Sequence, residues 1–372
     1  VGTAYTPGLA VSRYFLIRKT RKLPIKGKVL VKEGDSVEPG TIVARAELPG
    51  NLAQLKVANL LGLSPNEMME KLLVKVGDKV IKNQEIARNQ FFFNLFKTVV
   101  KSPVDGTVEY ISDVSGNIGI REAPVPIDLR AYIKGKIVEV IPDEGAIVET
   151  KGAFIQGIFG IDGEREGTLM VMPDPEKNIE PDDIKPEMKG KIIIARRMIS
   201  CDALKKAVKT GVSGIVVGGV IEKEIIELLG YEIGVAITGQ ENVGITLVIT
   251  EGFGEIRMSD KTFSLLKQMD GKNASINGTT QIRAGVIRPE VIVPLPDTGE
   301  EPETPQKMSQ SELSTGTRIR IIREPHFGKL ATVTELPPQL TVIESGAKVR
   351  ILRAKLDNGE EIAVPRANVE II

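Results

Sequence analysis

Residues 31–45 read VKEGDSVEPGTIVAR, and residues 74–88 repeat the pattern as VKVGDKVIKNQEIAR. Seven of the fifteen positions are identical, and apolar residues alternate with polar ones on both sides of a shared Gly-Asp step. This alternation is typical of two strands joined by a tight turn. A looser third copy, GKIVEVIPDEGAIVE, covers residues 135–149. Repetition of one short β unit predicts sheets that are built from equivalent halves.

The second copy is followed by KSPVDGTVEYI at residues 101–111, and together these segments resemble the biotinyl/lipoyl-type fold, the barrel-sandwich hybrid. The resemblance implies a domain of that type at residues 1–150. In that family a hairpin presents a modified lysine eight residues before the proline of the second motif. Counted from Pro103, that place holds Leu95, and Lys97 is out of register. We therefore expect no cofactor on Lys97.

The apolar stretch FFFNLFK, residues 91–97, lies between the two motifs and has two interpretations. As a buried insertion it would pack against a neighbouring domain. As an exposed tip it would dock a protein through Phe91, Phe92 and Phe93, because clustered exposed aromatic side chains mark interfaces.

The N-terminal 32 residues form a basic arm with eight cationic side chains and no acidic one, namely Arg13, Arg18, Lys19, Arg21, Lys22, Lys26, Lys28 and Lys32. Such an arm attracts a phosphate backbone or an acidic partner. The alternative is a strand whose counter-charges come from elsewhere in the fold.

The middle of the chain, residues 151–294, changes to a strand–helix–strand–helix order that predicts a small α/β domain. Ser200 is placed to cap a helix over CDALKKAVKT, and Gly211 to end it. Residues 190–219 resemble the swivelling β/β/α domains. In one of those families a Ser/Thr-His pair carries phosphate just after a double glycine. Val220 and the residues that follow it provide no histidine, so we expect no such chemistry.

Residues 295–315 contain five acids, three prolines and no apolar period, which predicts a flexible tether. The last segment, residues 316–372, resembles the KOW domain, a small SH3-like barrel that binds RNA or protein in its family. The strands IRIIR and ATVTEL and a turn at Asp357, Asn358 and Gly359 carry this resemblance. The partner- or RNA-binding candidates are Arg318, Arg320, Arg323, His326, Phe327, Lys329, Arg350, Arg353 and Arg366.

The composition removes several classes of chemistry. Cys201 and His326 are the only residues of their types, so no intrachain disulfide and no cysteine–histidine zinc site can be assembled. Cys201, near a helix start, is interpreted as a buried core thiol. The 49 basic and 49 acidic side chains balance, so a DNA partner is not expected. No apolar run is long enough to span a bilayer, and a cytoplasmic location is the default expectation.

The fold class expected from these observations is multi-domain, β-rich plus α/β: a barrel-sandwich hybrid, a swivelling-type domain and an SH3-like barrel. The sequence predicts a non-catalytic adaptor or scaffold that binds a protein or RNA through residues 316–372. An RNA-binding protein associated with ribosomes or transcription is one alternative. An accessory or carrier subunit of a multi-subunit enzyme is the other.

Overall fold

The computed structural model describes residues 9–91, 96–230, 241–281, 287–303, 313–323, 325–342 and 348–371. This part of the chain is β-rich and forms several sheets, including a half-barrel. None of its helices has the length and apolar character needed to cross a membrane.

The first thirteen strands are β1 (Val11–Lys22), β2 (Lys28–Val29), β3 (Ser36–Val37), β4 (Ile42–Leu48), β5 (Leu52–Leu55), β6 (Lys79–Val80), β7 (Glu85–Phe91), β8 (Phe96–Lys101), β9 (Gly106–Ile111), β10 (Ile118–Arg121), β11 (Val125–Arg130), β12 (Gly135–Ile141) and β13 (Gly145–Gln156). The other strands are β14 (Phe159–Ile161), β15 (Glu164–Val171), β16 (Lys191–Ile194), β17 (Gly214–Val220), β18 (Thr246–Phe253), β19 (Asn273–Asn277), β20 (Glu290–Pro294), β21 (Arg318–Ile321), β22 (Leu330–Glu335), β23 (Leu340–Val342), β24 (Lys348–Leu356), β25 (Glu361–Pro365) and β26 (Val369–Ile371). The α-helices of the described residues are α1 (Val57–Leu61), α2 (Pro65–Met69), α3 (Cys201–Thr210), α4 (Glu222–Leu229) and α5 (Asp260–Gln268).

The sequence repeat folds as two modules, one inserted into the other. In the outer module β3 pairs with β12, and in the inserted module β6 pairs with β9. The inserted module contains β5 to β10 together with α1 and α2, and it interrupts the outer module between β4 and β11, which pair with each other. The third copy of the repeat is thus the strand partner of the first copy.

The Gly-Asp turns of the two modules have the same geometry. Gly34 has φ +92° and Gly77 has φ +94°, a backbone conformation that glycine adopts without steric cost. In each turn the aspartate carboxylate accepts a 2.8 Å hydrogen bond from the backbone N–H three residues earlier. Each glycine N–H donates at 2.8 Å to the later strand, to the carbonyl of Ile137 in the outer module and of Val108 in the inserted one.

An eleven-stranded sheet joins the outer module to the α/β part of the chain. Its order is β14-β18-β17-β16-β15-β19-β20-β13-β12-β3, with β1 also paired to β13. The four strands β15, β16, β17 and β18 run parallel to one another. Helices α3 and α4 contribute to the core on one face and α5 to the core on the other. The boundary expected at residue 150 therefore falls inside β13, within one continuous sheet.

Helix α3 is bounded by the residues that the sequence indicated. The Ser200 side chain accepts a hydrogen bond from the Ala203 backbone N–H at 3.3 Å, and Gly211 ends the helix with φ +81°. Helix α4 ends in the same way at Gly230, with φ +78°. These three helix ends follow the local capping chemistry of serine and glycine.

The basic arm is part of the sheet. Strand β1 carries five of its cations, and acidic side chains from distant parts of the chain neutralise four of them. These ion pairs are Arg18–Glu149, Lys19–Glu290, Arg21–Glu164 and Lys22–Glu144, each with a closest N–O distance of 2.6 Å. The interpretation with counter-charges from elsewhere in the fold is confirmed for these four.

The start of the expected tether is attached to β1. The Glu303 backbone N–H donates to the Tyr14 carbonyl at 2.9 Å, and Asp297 accepts from the Tyr14 hydroxyl at 3.1 Å. Lys151 adds an ion pair with Asp297 at 2.8 Å. Residues 295–303 are therefore fixed to the sheet, and residues 304–312 lie outside the described chain.

The C-terminal sheet has six strands in the order β23-β24-β22-β21-β26, with β25 also paired to β24. Its core contains Ile319, Val333, Leu352 and Val369. Ile322, directly after β21, belongs instead to the core that α3 and α4 cover. The C-terminal sheet therefore packs directly on the α/β part.

Candidate partner-binding site

The C-terminal sheet meets the α/β part at a buried contact that we call the seam, formed by residues 251–253 of β18, Arg288, Arg320, Ile322, Phe327, Gly328 and Glu370. Arg320 is at its centre and is 1% exposed. Its guanidinium donates to Glu370 at 2.7 Å and to Glu251 at 2.6 Å. Arg288 also donates to Glu370, so two arginines and two glutamates form one buried network.

The backbones at the seam come into direct contact. A Cβ placed on Gly252 would be 2.2 Å from the carbonyl oxygen of Gly328, so only glycine fits there. The ring centroids of Phe253 and Phe327 are 6.2 Å apart, and Phe159 lies on the other side of Phe253 at 5.1 Å. Close packing and matched buried charges fix the orientation of the C-terminal sheet.

Four of the residues expected to contact a partner lie at this seam or beside it. Arg320 is a correction, because a side chain that is buried between two carboxylates is not available to a phosphate. Phe327 packs on the α/β core, so its ring does not stack on a base. His326 is half-buried, and its Nδ1 atom is buried without a hydrogen-bond partner. Arg323 lines a cavity of about 10 Å³ at the seam.

Three other candidate arginines are held by contacts within the C-terminal sheet. Arg318 forms a two-pronged ion pair with Asp357, with N–O distances of 2.6 and 3.0 Å. Arg353 pairs with Glu335 at 3.3 Å. Arg366 donates to two backbone carbonyls, that of Ile351 at 3.1 Å and that of Pro337 at 2.8 Å.

Lys329 and Arg350 are the remaining candidate cations, and both are exposed. Arg350 lies directly opposite Leu340 in the β23–β24 ladder, and Lys348 lies opposite Val342. Directly paired residues lie on the same face of a sheet. The four side chains therefore form one surface, which we call the shelf: Leu340, Val342, Lys348 and Arg350.

The shelf continues the core face of the C-terminal sheet. Alternate residues of β24 share a face, and the face that carries Lys348 and Arg350 also carries Leu352 and Ala354, which are fully buried. Leu340 and Val342 are nevertheless 61% and 59% exposed. This face of the C-terminal sheet is thus buried at Leu352 and Ala354 and exposed to solvent at the shelf.

Leu340, Val342 and Lys348 were not among the residues predicted from the sequence, and neither were the two carboxylates of the seam. A signal existed for each. The alternating apolar residues in LTV precede a basic strand, and Glu251 and Glu370 each interrupt a strongly apolar run. A lone carboxylate in such a run needs a cationic partner when it is buried.

Lys97, in the hairpin of β7 and β8, is held by an ion pair. The Lys97 ammonium lies 3.2 Å from the carboxylate of Glu85, which also pairs with Arg88. The Glu85 pKa is lowered by Arg88 and then by Lys97. Phe92 and Phe93 lie outside the described residues, as does the side chain of Phe91, so both interpretations of the apolar stretch stay open.

Two other sequence features have structural roles. Cys201 is buried, and burial raises the pKa of its thiol. The double glycine of β17 permits a close backbone approach: a Cβ on Gly218 would be 2.3 Å from the Met258 nitrogen, and one on Gly219 would be 2.3 Å from the Gly254 carbonyl oxygen. Segment 254–258 thus packs directly on the backbone of the double glycine.

A cleft of about 900 Å³ lies between the outer module and the α/β sheet. Its lining is rich in hydroxyl side chains and includes Lys134 and Lys272. Tyr132 lies beneath this cleft. Its backbone carbonyl accepts a hydrogen bond from the Ser275 hydroxyl at 2.7 Å, and the Tyr132 hydroxyl donates to the Glu290 carboxylate at 3.2 Å. Burial, followed by the charge of Glu290, raises the Tyr132 pKa. This buried tyrosine joins the two parts of the molecule.

In the described part of the chain, no cluster of three or more His, Cys, Asp or Glu side chains is arranged to hold a metal ion. No family model and no curated protein matches this sequence. The shelf combines two exposed aliphatic side chains with two exposed cations on one face, and it is the candidate site.

Proposed function

We propose that the chain is a non-catalytic adaptor that binds a protein partner through the shelf of its C-terminal sheet. The observation that carries this proposal is the exposure of Leu340 and Val342 beside two cations on a face that is otherwise core. Exposed aliphatic side chains contribute binding energy when a partner covers them. Lys348 and Arg350 would give the contact its charge preference.

The proposed domain types are those of the sequence resemblances: a barrel-sandwich hybrid, a swivelling-type domain and a KOW-like barrel. Contacts near the expected reactive positions of the first two support a structural role. Lys97 is paired with Glu85, and segment 254–258 packs on the double glycine. In this proposal both parts serve as the support that positions the shelf.

RNA binding is the second candidate function, supported by the exposed cations Lys329 and Arg350. Sequence-tolerant RNA recognition combines cations with aromatic side chains that stack on bases. The aromatic candidate Phe327 is packed into the seam, which favours the protein partner.

Affinity recovery from a native lysate, with and without nuclease, tests the two functions. Wild type is compared with Leu340→Glu/Val342→Glu and with the control Val114→Glu, whose side chain is 86% exposed in the inserted module. We expect nuclease-resistant partners that only the double variant loses. Loss of all partners on nuclease treatment, or equal recovery by the double variant, would contradict the proposal.

A further inference from the structure

The outer edge of β23 is unpaired in the described structure, since β23 ends the strand order of the C-terminal sheet. An unpaired edge presents backbone N–H and C=O groups that an added strand can bind. Here the strand at that edge also carries two exposed aliphatic side chains on one face, Leu340 and Val342. The backbone and the side chains of β23 therefore both fit an added strand that carries apolar side chains.

The chain holds this edge in place from within. Arg366 donates to the Pro337 carbonyl, just before β23, and to the Ile351 carbonyl on β24. A single side chain thus ties the segment that enters β23 to its neighbouring strand. A pre-positioned edge loses less conformational entropy when a peptide pairs with it.

Charge complementarity selects the chemistry of the partner. Arg350 and Lys348 lie one strand further in, on the same face as Leu340 and Val342. A strand added to β23 would place its side chains two interstrand spacings, or about 10 Å, from these cations. The lengths of the arginine, lysine and glutamate side chains cover most of that distance.

On the basis of the proposed function, we propose that the shelf binds an extended acidic peptide segment by strand addition to β23. Apolar residues of the segment contact Leu340 and Val342, and acidic residues on the same face meet Lys348 and Arg350. A second copy of this chain would instead bring a second pair of cations to the same face, so its edge is the less complementary occupant.

The test uses the full chain and the blocked peptide Glu-Asp-Val-Thr-Val-Thr-Val-Asp-Glu, whose terminal glutamates share a face with the valines, and affinity is measured by calorimetry. Three matched peptides accompany it: one with Lys and Arg in place of the acids, one with Ser in place of Val, and one N-methylated at alternate backbone nitrogens. We expect binding of the first peptide and at least about tenfold weaker binding of each of the others.

The variants assign the binding to the shelf. Leu340→Glu/Val342→Glu abolishes it, Lys348→Glu/Arg350→Glu weakens it and reverses the preference toward the basic peptide, and Val114→Glu leaves it unchanged. Equal binding of the N-methylated peptide would overturn strand addition, and equal binding of the basic peptide would overturn the charge preference.

The failure of this inference can be distinguished from failure of the adaptor function. If lysate partners still depend on Leu340 and Val342 while no peptide binds, strand addition is wrong and the shelf remains the site. If the peptide fails to bind and partner recovery is also independent of the shelf, both proposals are wrong. Sedimentation tests for a second copy at the edge. Dimerisation that depends on concentration and is lost in Leu340→Glu/Val342→Glu would assign the edge to a second copy of the chain and overturn the proposal of an acidic peptide.

Discussion

The seam and the shelf belong to the same C-terminal sheet and use charge in opposite ways. At the seam, Arg320 lies between two carboxylates and is almost completely removed from water. At the shelf, Arg350 is exposed, and no ion pair holds it within the described residues. Both arginines alternate with apolar neighbours in sequence. Three-dimensional position, not residue type, therefore decides which cation is structural and which can meet a partner.

The largest expected effect is at the centre of the seam. Arg320→Met leaves Glu251 without its partner and weakens the pairing of Glu370, and breaking a buried ion pair costs about 3–5 kcal/mol of unfolding free energy. Arg318→Met, at an exposed pair on the same strand, should cost about 0–1 kcal/mol. Urea unfolding of both variants measures the difference. Equal losses would show that burial does not distinguish the two arginines.

A smaller effect is expected from the backbone contact of the seam. Gly252→Ala has an unfavourable φ of +144° and places its Cβ against the Gly328 carbonyl. Gly254→Ala has φ +114°, and its Cβ would make only an ordinary contact of 3.9 Å with the Ile256 side chain. Backbone strain costs about 1–3 kcal/mol in both variants, and the clash adds about 1–3 kcal/mol at Gly252 only. The expected difference in unfolding free energy between the two variants is therefore about 1–3 kcal/mol.

Hydrogen exchange measures how the two alanine variants act. We expect faster exchange in β18 and β21 for Gly252→Ala than for Gly254→Ala, with β12 and β13 unchanged in both. Indistinguishable exchange in the two variants would mean that the contact with Gly328 does not hold the C-terminal sheet.

The shelf should be almost neutral for stability. Leu340→Glu/Val342→Glu changes two side chains that are already mostly exposed, so the unfolding free energy should change by about 0.5 kcal/mol or less. Thermal unfolding checks this value. A large loss of stability would show that the shelf is covered in the folded chain and would weaken its assignment as a binding surface.

The smallest effect concerns the attachment of residues 295–303. Lys151, the Gly299 N–H and the Tyr14 hydroxyl lower the Asp297 pKa from 3.8 to about 2. A carboxylate whose pKa is lowered on folding stabilises the fold at pH values above its ordinary, unfolded-state pKa. That contribution disappears as the pH falls through the folded-state pKa. Asp297→Asn should therefore unfold at a slightly lower temperature than wild type at pH 7, and the difference should shrink between pH 4 and pH 2. A difference independent of pH would contradict the assignment.

Local features of the fold were predictable because local chemistry determines them. The Gly-Asp repeat predicted two tight turns, and Ser200 and Gly211 predicted both ends of α3. The β-rich fold class is confirmed in its coarse form. The types of the individual domains stay predictions.

Long-range features were not predictable, since they depend on which strands meet. Nothing in the repeat says that its third copy pairs with the first, across an inserted module. Likewise, alternation along β21 predicts an outward Arg320, as it does for Arg318. The outward face of β21 at Arg320 is buried only because β18, with Glu251, packs against it.

The insertion of one module into another has a consequence for the order of folding during synthesis. Every strand of the inserted module is available once residue 121 has emerged, whereas β4 must wait for β11 and β1 must wait for β13. Chains fold from the N-terminus as they are made, in cooperative units. The inserted module can therefore be folded while β1 and β4 of the outer module still lack their partner strands. Once folded, it would hold the end of β4 near the start of β11 before the rest of the chain is made.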